Sequence, residues 1–128
     1  MSTTNNECLF CNISPDRVFA ENEYAYAIRD GFPVTEQHSL IIPRRHVEDY
    51  FGLTTDELIG CNSLLTDIRE LINESDESVK GFNIGANAGE VAGQTIFHCH
   101  IHLIPRRNGD VENPRGGVRH VIPGKGNY

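Results

Sequence analysis

Three histidines stand at alternate positions, His98, His100 and His102, inside the stretch Gly93-Gln94-Thr95-Ile96-Phe97-His98-Cys99-His100-Ile101-His102-Leu103-Ile104-Pro105. A neutral imidazole can attack as a nucleophile, pass a proton or ligate a metal, so the spacing decides which of these can be shared. The alternation predicts one strand, with His98, His100, His102 and Ile104 on one face and Phe97, Cys99, Ile101 and Leu103 on the other. The second face is core; the first carries the chemistry. Pro105 cannot donate to a ladder and marks the expected end of pairing. At roughly 3.3 Å per residue, His98 and His102 lie about 13 Å apart and cannot ligate one ion together. Neighbouring pairs, about 7 Å apart, could share a metal or a substrate. The three imidazoles should therefore have different jobs.

Cys8-Leu9-Phe10-Cys11 is a CxxC spacing, which admits a redox pair or half of a zinc site. Nothing around it reads as the strand and helix of a thioredoxin-like unit. Zinc would need two more ligands, and the chain has six histidines. Cys61 and Cys99 fall on apolar stripes and read as core residues. His38 and His46 bracket an apolar run, and His120 lies in a Gly/Pro-rich tail where a surface position is expected.

The elements that must position these residues follow from periodicity. Arg17–Ala20 and Tyr24–Arg29 read as a hairpin, the second strand bulky on the side of Tyr24, Tyr26 and Ile28 and small on the alanine side. Asp30-Gly31-Phe32-Pro33 is a turn signal, and His38–Pro43 reads as a buried strand. Val47–Leu53 suggests a short helical turn. Thr54-Thr55-Asp56-Glu57 fits a capping box. Leu58, Cys61, Leu65, Ile68 and Ile72, widened by Leu64 and Leu71, then make one face of an amphipathic helix that should end within residues 73–78. Lys80–Gly85 alternates as a strand and leads into a loop with Gly85, Gly89 and Gly93, where the N–H groups of Gln94 and Thr95 could meet a phosphate. The expected architecture is α+β, an antiparallel sheet of about five strands with one long helix, a short helix and an extended C-terminal arm over about 110–128.

Length and charge narrow the function. The 128 residues suit a single domain, 1–128. A net charge of -7 argues against a nucleic-acid polymer as partner, though small phosphorylated ligands remain open. Basic residues cluster as Arg106, Arg107, Arg115, Arg119 and Lys125, with Arg44 and Arg45 as a second pair. No apolar run approaches the ~18 residues of a membrane span, and the N-terminus lacks a leader pattern. A cytoplasmic protein with unbridged cysteines is expected.

These residues resemble the histidine triad (HIT) family of nucleotide hydrolases and transferases. The signature is His98-Cys99-His100-Ile101-His102-Leu103-Ile104, with Asn87-x-Gly89, Gly93-Gln94-Thr95, Asp30 and His38-Ser39-Leu40-Ile41-Ile42-Pro43 in their family places. The resemblance covers about nine-tenths of the chain. It implies that His100 is the nucleophile attacking the α-phosphorus of a nucleotide, giving a nucleotidyl-histidine that water then hydrolyses. It also implies that Gln94, Thr95 and His102 surround the phosphoryl oxygens, with Asn87 and Gly93 in the supporting loop. Asp30 would accept from ribose hydroxyls, Ile28 would wall the base, and His38 would steady the catalytic strand. Some bacterial HIT proteins, and the distantly related galactose-1-phosphate uridylyltransferases, carry zinc on positions that here are Cys8, Cys11, His46 and His98. By that resemblance the zinc is structural, and no metal is needed for the chemistry. Glu36-Gln37-His38 departs from the pattern, since glycine more usually precedes this histidine.

The expectation is a homodimeric hydrolase that releases a nucleoside 5'-phosphate, with AMP favoured, from a phosphoramidate, a dinucleoside polyphosphate or a related substrate. Its rivals are a non-catalytic nucleotide-binding scaffold and a metal-dependent hydrolase with His100 and His102 as ligands. DNA-end deadenylation lacks an added nucleic-acid-binding domain.

Overall fold

The computed structural model describes residues 7–128, so the first six residues of the N-terminal segment lie outside it. Five strands form one antiparallel sheet: β1 (Val18–Glu21), β2 (Ala25–Arg29), β3 (Ser39–Pro43), β4 (Val79–Gly85) and β5 (Ile101–Arg107), in the order β1-β2-β3-β5-β4. The one α-helix among the described residues, α1 (Thr55–Ser75), covers one face. The small side chains Ala25 and Ala27, with Ile41, Ile101 and Leu103, meet Cys61, Leu64, Leu65, Ile68 and Ile72 of the helix. The opposite face holds Tyr26, Ile28, Leu40 and Ile42 under Phe10. Strand alternation thus sends the small residues toward a closely packed helix and the bulky ones toward the histidines. Each fully buried aliphatic side chain contributes about 1.5–3 kcal/mol.

The capping box forms as the sequence implies: the Thr54 hydroxyl accepts from Glu57 N–H at 3.1 Å, and Thr54 N–H donates to Glu57 Oε1 at 2.9 Å. Glu57 has a second task that periodicity does not reveal. Its carboxylate is buried and takes two hydrogen bonds from Arg45, at 2.9 and 2.8 Å, which hold it below its ordinary range. The start of α1 is thereby tied to the residue beside His46. Leu58 and Leu71, expected on the buried face, are 40% and 52% exposed. The helix residues that meet the sheet are Cys61, Leu64, Leu65, Ile68 and Ile72.

Three further expectations change in the folded chain. The histidine segment is not one strand: pairing begins at Ile101, and His98 to His100 precede it in an irregular stretch where Cys99 N–H donates to the Val47 carbonyl at 2.7 Å. Pro105 does not end the strand, because it lies opposite Phe82 and β5 continues to Arg107. The missing donor costs little on the side where β3 has already ended, and there the Thr35 hydroxyl donates to the Pro105 carbonyl at 2.8 Å. The C-terminal segment is coiled back on itself, with a 3-10 turn at Gly117–Val121 and the guanidinium groups of Arg115 and Arg119 against the Tyr128 ring. His120 is exposed there, as expected. Gln37 takes a left-handed φ of 71°, a conformation that costs a side-chained residue about 1 kcal/mol. No helix among the described residues is long and apolar enough to cross a membrane.

Close packing also reverses a usual rule. A Cβ added at Gly60 would lie 2.7 Å from Tyr24 Cβ. Gly60→Ala, which would ordinarily favour a helix by up to about 1 kcal/mol, should instead destabilise the protein by about 1–3 kcal/mol in urea titrations. An unchanged or raised midpoint would show that the helix can move away from β2.

Candidate functional site

The histidines of the segment divide into two neighbourhoods with His100 between them. In the first, a 3-10 turn at Leu9–Cys11 brings both cysteines of the CxxC to His46 and His98, and the four ligand atoms lie within 4.8 Å of one another. His98 Nδ1 is 3.5 Å from Cys8 Sγ, 3.4 Å from Cys11 Sγ and 3.2 Å from His46 Nδ1, and His46 Nδ1 is 3.2 Å from Cys11 Sγ. A tetrahedral ion with metal–nitrogen bonds of about 2.0 Å and metal–sulfur bonds of about 2.3 Å requires N···S near 3.5 Å and N···N near 3.3 Å. The donor set therefore fits such an ion. His98 Nε2 is 2.8 Å from the Pro43 carbonyl, which can only accept. The ring proton is held at Nε2, and the Nδ1 lone pair faces the cluster.

The same residue acts on His100 through its main chain. His100 Nδ1 lies 2.8 Å from the His98 carbonyl and must carry the proton of that hydrogen bond. In the neutral ring the lone pair is then on Nε2. Phe10, carried between the two cysteines, packs edge-on against His100 with ring centroids 4.9 Å apart. The Tyr26 hydroxyl donates to the Phe10 carbonyl and secures that turn from the sheet.

In the second neighbourhood, main-chain contacts set a chain of protons. Val34 N–H donates to His38 Nδ1 at 3.1 Å, so the His38 proton sits on Nε2 and is donated to His102 Nδ1 at 2.9 Å. His102 must then carry its own proton on Nε2, as a donor. Asp30 Oδ2 stands 3.4 Å from His38 Nε2 and 3.9 Å from His102 Nδ1, while its Oδ1 accepts from Phe32 N–H at 2.8 Å. Asp30, His38 and His102 are close enough to suggest a second metal site. The Val34 contact argues otherwise, since it already occupies one nitrogen of His38 and leaves the proton on the nitrogen that would have to ligate. Burial lowers the pKa of His38, with Asp30 opposing. Burial first, then the neighbouring imidazoles, push His102 down to about 4, again against Asp30. Both rings are neutral near pH 7, as this proton chain requires. His100 and His102 are 5.4 Å apart between centroids.

The loop residues hold one another. The Gln94 side chain is buried and fully engaged, donating to the carbonyls of Glu48 (2.7 Å) and Ile96 (3.1 Å) and accepting from Gly89 N–H (2.9 Å). Its main-chain N–H, expected to be available to a phosphate, donates to the Gly89 carbonyl at 3.1 Å. Gln94 is thus a brace of the loop. Gly89 and Gly93, at φ 99° and 94°, supply the turns that the brace closes. Asn87 is exposed beside Gly93, and exposed Thr95 borders a cleft of about 360 Å³ with Cys8, Leu9 and His46. Ile28 is fully buried in the cluster that includes Phe10, so it backs the site without an open face. Sequence reasoning missed Phe10 and the carbonyls of Pro43 and His98. The spacing alone gave no signal for Phe10, since Leu9, also large, apolar and between the two cysteines, is 56% exposed.

The architecture and this histidine-lined face define an α+β domain whose central imidazole is presented between a Cys/His cluster and a histidine pair. The HIT domain pattern matches residues 12–109, and the chain belongs to the HIT domain family. It is 38% identical over 109 residues to a HIT-like protein of Mycoplasma pneumoniae, covering 82% of this chain and 75% of that protein. With the adenosine 5'-monophosphoramidase of Saccharomyces cerevisiae it shares 30% identity over 113 residues, covering 84% and 67%. The fold superposes on a zinc-bound histidine triad family protein of Mycobacterium smegmatis with a TM-score of 0.74 at 36% identity, covering 81% and 78% of the two chains.

The depressed His102 pKa has a consequence for stability. Because the folded value of about 4 lies below the ordinary 6.5, the unfolded chain binds the proton first as pH falls. The contribution to stability is complete above about 6.5 and is lost progressively toward pH 4. Urea unfolding across that range should show declining stability with falling pH, and His102→Gln should flatten part of the slope. An identical slope in the variant would contradict the assignment.

Proposed function

We propose that this chain is a nucleotidyl hydrolase that releases a nucleoside 5'-phosphate, AMP in the favoured case, from an amine or comparable leaving group. The observation that carries the reading is the hydrogen bond from His100 Nδ1 to the His98 carbonyl, which leaves Nε2 as the nucleophilic atom. Nε2 attacks the α-phosphorus, the bond from phosphorus to the leaving group breaks, and the leaving group departs with the electron pair and takes a proton from solvent. The Nδ1 proton stays in place, so the phosphorylated ring is a cation, and the His98 carbonyl steadies it. That charge makes the ring a good leaving group when water attacks phosphorus in the second step. His102, presenting Nε2–H, donates to a phosphoryl oxygen as charge builds there. The activity of the yeast monophosphoramidase supports adenosine phosphoramidates as the first substrates to try. A scaffold that only binds nucleotide would show no steady-state release of AMP.

The reading extends to zinc on Cys8, Cys11, His46 and His98, as in a zinc-containing bacterial branch of the family. The fit of the donor spacings supports it, as does the zinc-bound mycobacterial relative. Zinc here would hold the N-terminal turn, and with it Phe10, to the sheet, and would take no part in bond breaking. Protein expressed with zinc should contain about one equivalent per chain, and Cys8→Ser should lower thermal stability more than it slows the chemistry. Metal analysis that finds none would remove the zinc.

A second copy of the chain is also part of the reading. β4 is an edge strand, and Ile84 on it and Phe51 are 50% and 82% exposed. Light scattering should give twice the chain mass at micromolar concentration, and Ile84→Lys should reduce it. A fully active monomer would dispose of the dimer.

For the chemistry, His100→Asn should bind AMP yet lose turnover by orders of magnitude. Acid-labile, base-stable label from substrate should be trapped on wild-type His100. Wild-type kcat in the variant, or label on another residue, would overturn the mechanism.

A further inference from the structure

Gln37 is the one non-glycine residue with a left-handed backbone among the described residues, and it immediately precedes His38. A residue with a side chain persists in that conformation only where its surroundings hold it. Here its carbonyl accepts from the Ser39 hydroxyl at 2.9 Å and from Arg29 at 3.4 Å, and its side-chain amide donates to Asp76 Oδ2 at 3.0 Å. Asp76 is itself anchored. It accepts from Arg107 Nη2 at 2.9 Å and from the N–H and hydroxyl of Ser78 at 3.0 and 2.5 Å, and it is the C-cap of α1. The network therefore runs from the end of the helix and the last residue of β5 to the turn that presents His38.

That turn sets the His38 ring within 2.9 Å of His102 and 3.1 Å of Val34 N–H. Both contacts depend on the direction in which the chain leaves Gln37. Glycine would take the left-handed conformation unaided, whereas glutamine needs an anchor.

We propose that Gln37 and Asp76 form a positioning pair: Asp76 holds Gln37 in the left-handed conformation that aims His38 at His102 and so fixes the His102 tautomer. The requirement for Asp76 then exists because residue 37 is not glycine. This separates positioning from plain stabilisation, since Arg107 and Ser78 also lose a partner when Asp76 is removed and glycine at position 37 cannot replace them. The proposal rests on the nucleotidyl-hydrolase reading only for its rate measurement.

The test compares the intact wild-type chain with Asp76→Ala, Gln37→Gly, the double variant, and Gln37→Leu, which removes the amide but leaves the Arg107 and Ser78 contacts to Asp76. Long-range nitrogen–proton correlations of the imidazoles report the tautomers of His38 and His102 without substrate, and release of AMP from an adenosine phosphoramidate reports kcat and KM. Asp76→Ala and Gln37→Leu should each turn the single His102 tautomer into a mixture and lower kcat about five- to tenfold with KM within about twofold. In the double variant, tautomer and kcat should return to those of Gln37→Gly while the melting temperature stays as low as in Asp76→Ala. Unchanged tautomers in Gln37→Leu, or a double variant as impaired as Asp76→Ala, would overturn the positioning role. If wild-type protein releases no AMP, the enzymatic reading fails, and the imidazole spectra still decide for or against the pair.

Discussion

A neutral imidazole has one proton for two nitrogens, and the arrangement of this site follows from that shortage. Wherever the main chain claims one nitrogen, the other has its role assigned. The Pro43 carbonyl accepts from His98 Nε2–H and turns the Nδ1 lone pair toward the cysteines; the His98 carbonyl accepts from His100 Nδ1–H and leaves the lone pair on Nε2. Val34 N–H does the reverse at His38, filling a lone pair so that the proton points onward to His102. Three identical side chains at alternate positions thus differ in which nitrogen is left open: a lone pair on Nδ1 toward the cysteines at His98, a lone pair on Nε2 at His100, and an N–H on Nε2 at His102. Backbone groups are suited to this selection because the sheet and its turns hold them rigidly.

His98 joins two of these roles in one residue. Its ring belongs to the Cys/His cluster while its carbonyl orients His100, so whatever steadies the cluster also steadies the central imidazole. Phe10 makes the connection physical, since the cysteine turn that carries it rests against both rings, at 6.3 Å from His98 and 4.9 Å from His100 between centroids. On the far side of the sheet, the capping box of α1 reaches the same region through Glu57 and Arg45, the neighbour of His46. The helix is therefore more than a cover for Ala25 and Ala27. Its N-terminus braces the Cys/His cluster, and its C-cap, through Asp76, braces the turn before His38.

Much of this was legible in the chain as written. Local rules produced the helix, because the start signal at Thr54–Glu57 and the 3.6-residue repeat depend only on neighbours in sequence. The antiparallel sheet of about five strands followed from period-2 runs and turn residues. The histidine spacing, with Asp30, His38 and the CxxC, was enough to name the family and the residues for a site. The alternation of Tyr26 and Ile28 with Ala25 and Ala27 also marked one bulky and one small face, and the structure sets the helix on the small one.

What needed the tertiary structure is the division of labour, because a ring's partner depends on how the folded backbone turns it, whether that partner is distant, as Pro43 is from His98, or close in sequence, as His98 is to His100. Sequence spacing cannot say that residue 43 will lie against residue 98, or that the ring of residue 38 will turn back to the N–H of residue 34 and on to residue 102, yet those contacts set the protons of His98, His38 and His102. The same limit hid the bracing contacts of Gln94, whose side chain holds Glu48, Ile96 and Gly89. It also drew one strand through His98 and His100, where the irregular stretch before β5 brings His98 to the cysteines. Residue types and their periods determine which elements form and which side chains are available. Only the packed chain decides which nitrogen keeps its proton, because that choice is made by how each ring is turned toward a carbonyl or an N–H, near in sequence at His38 and His100 and distant at His98.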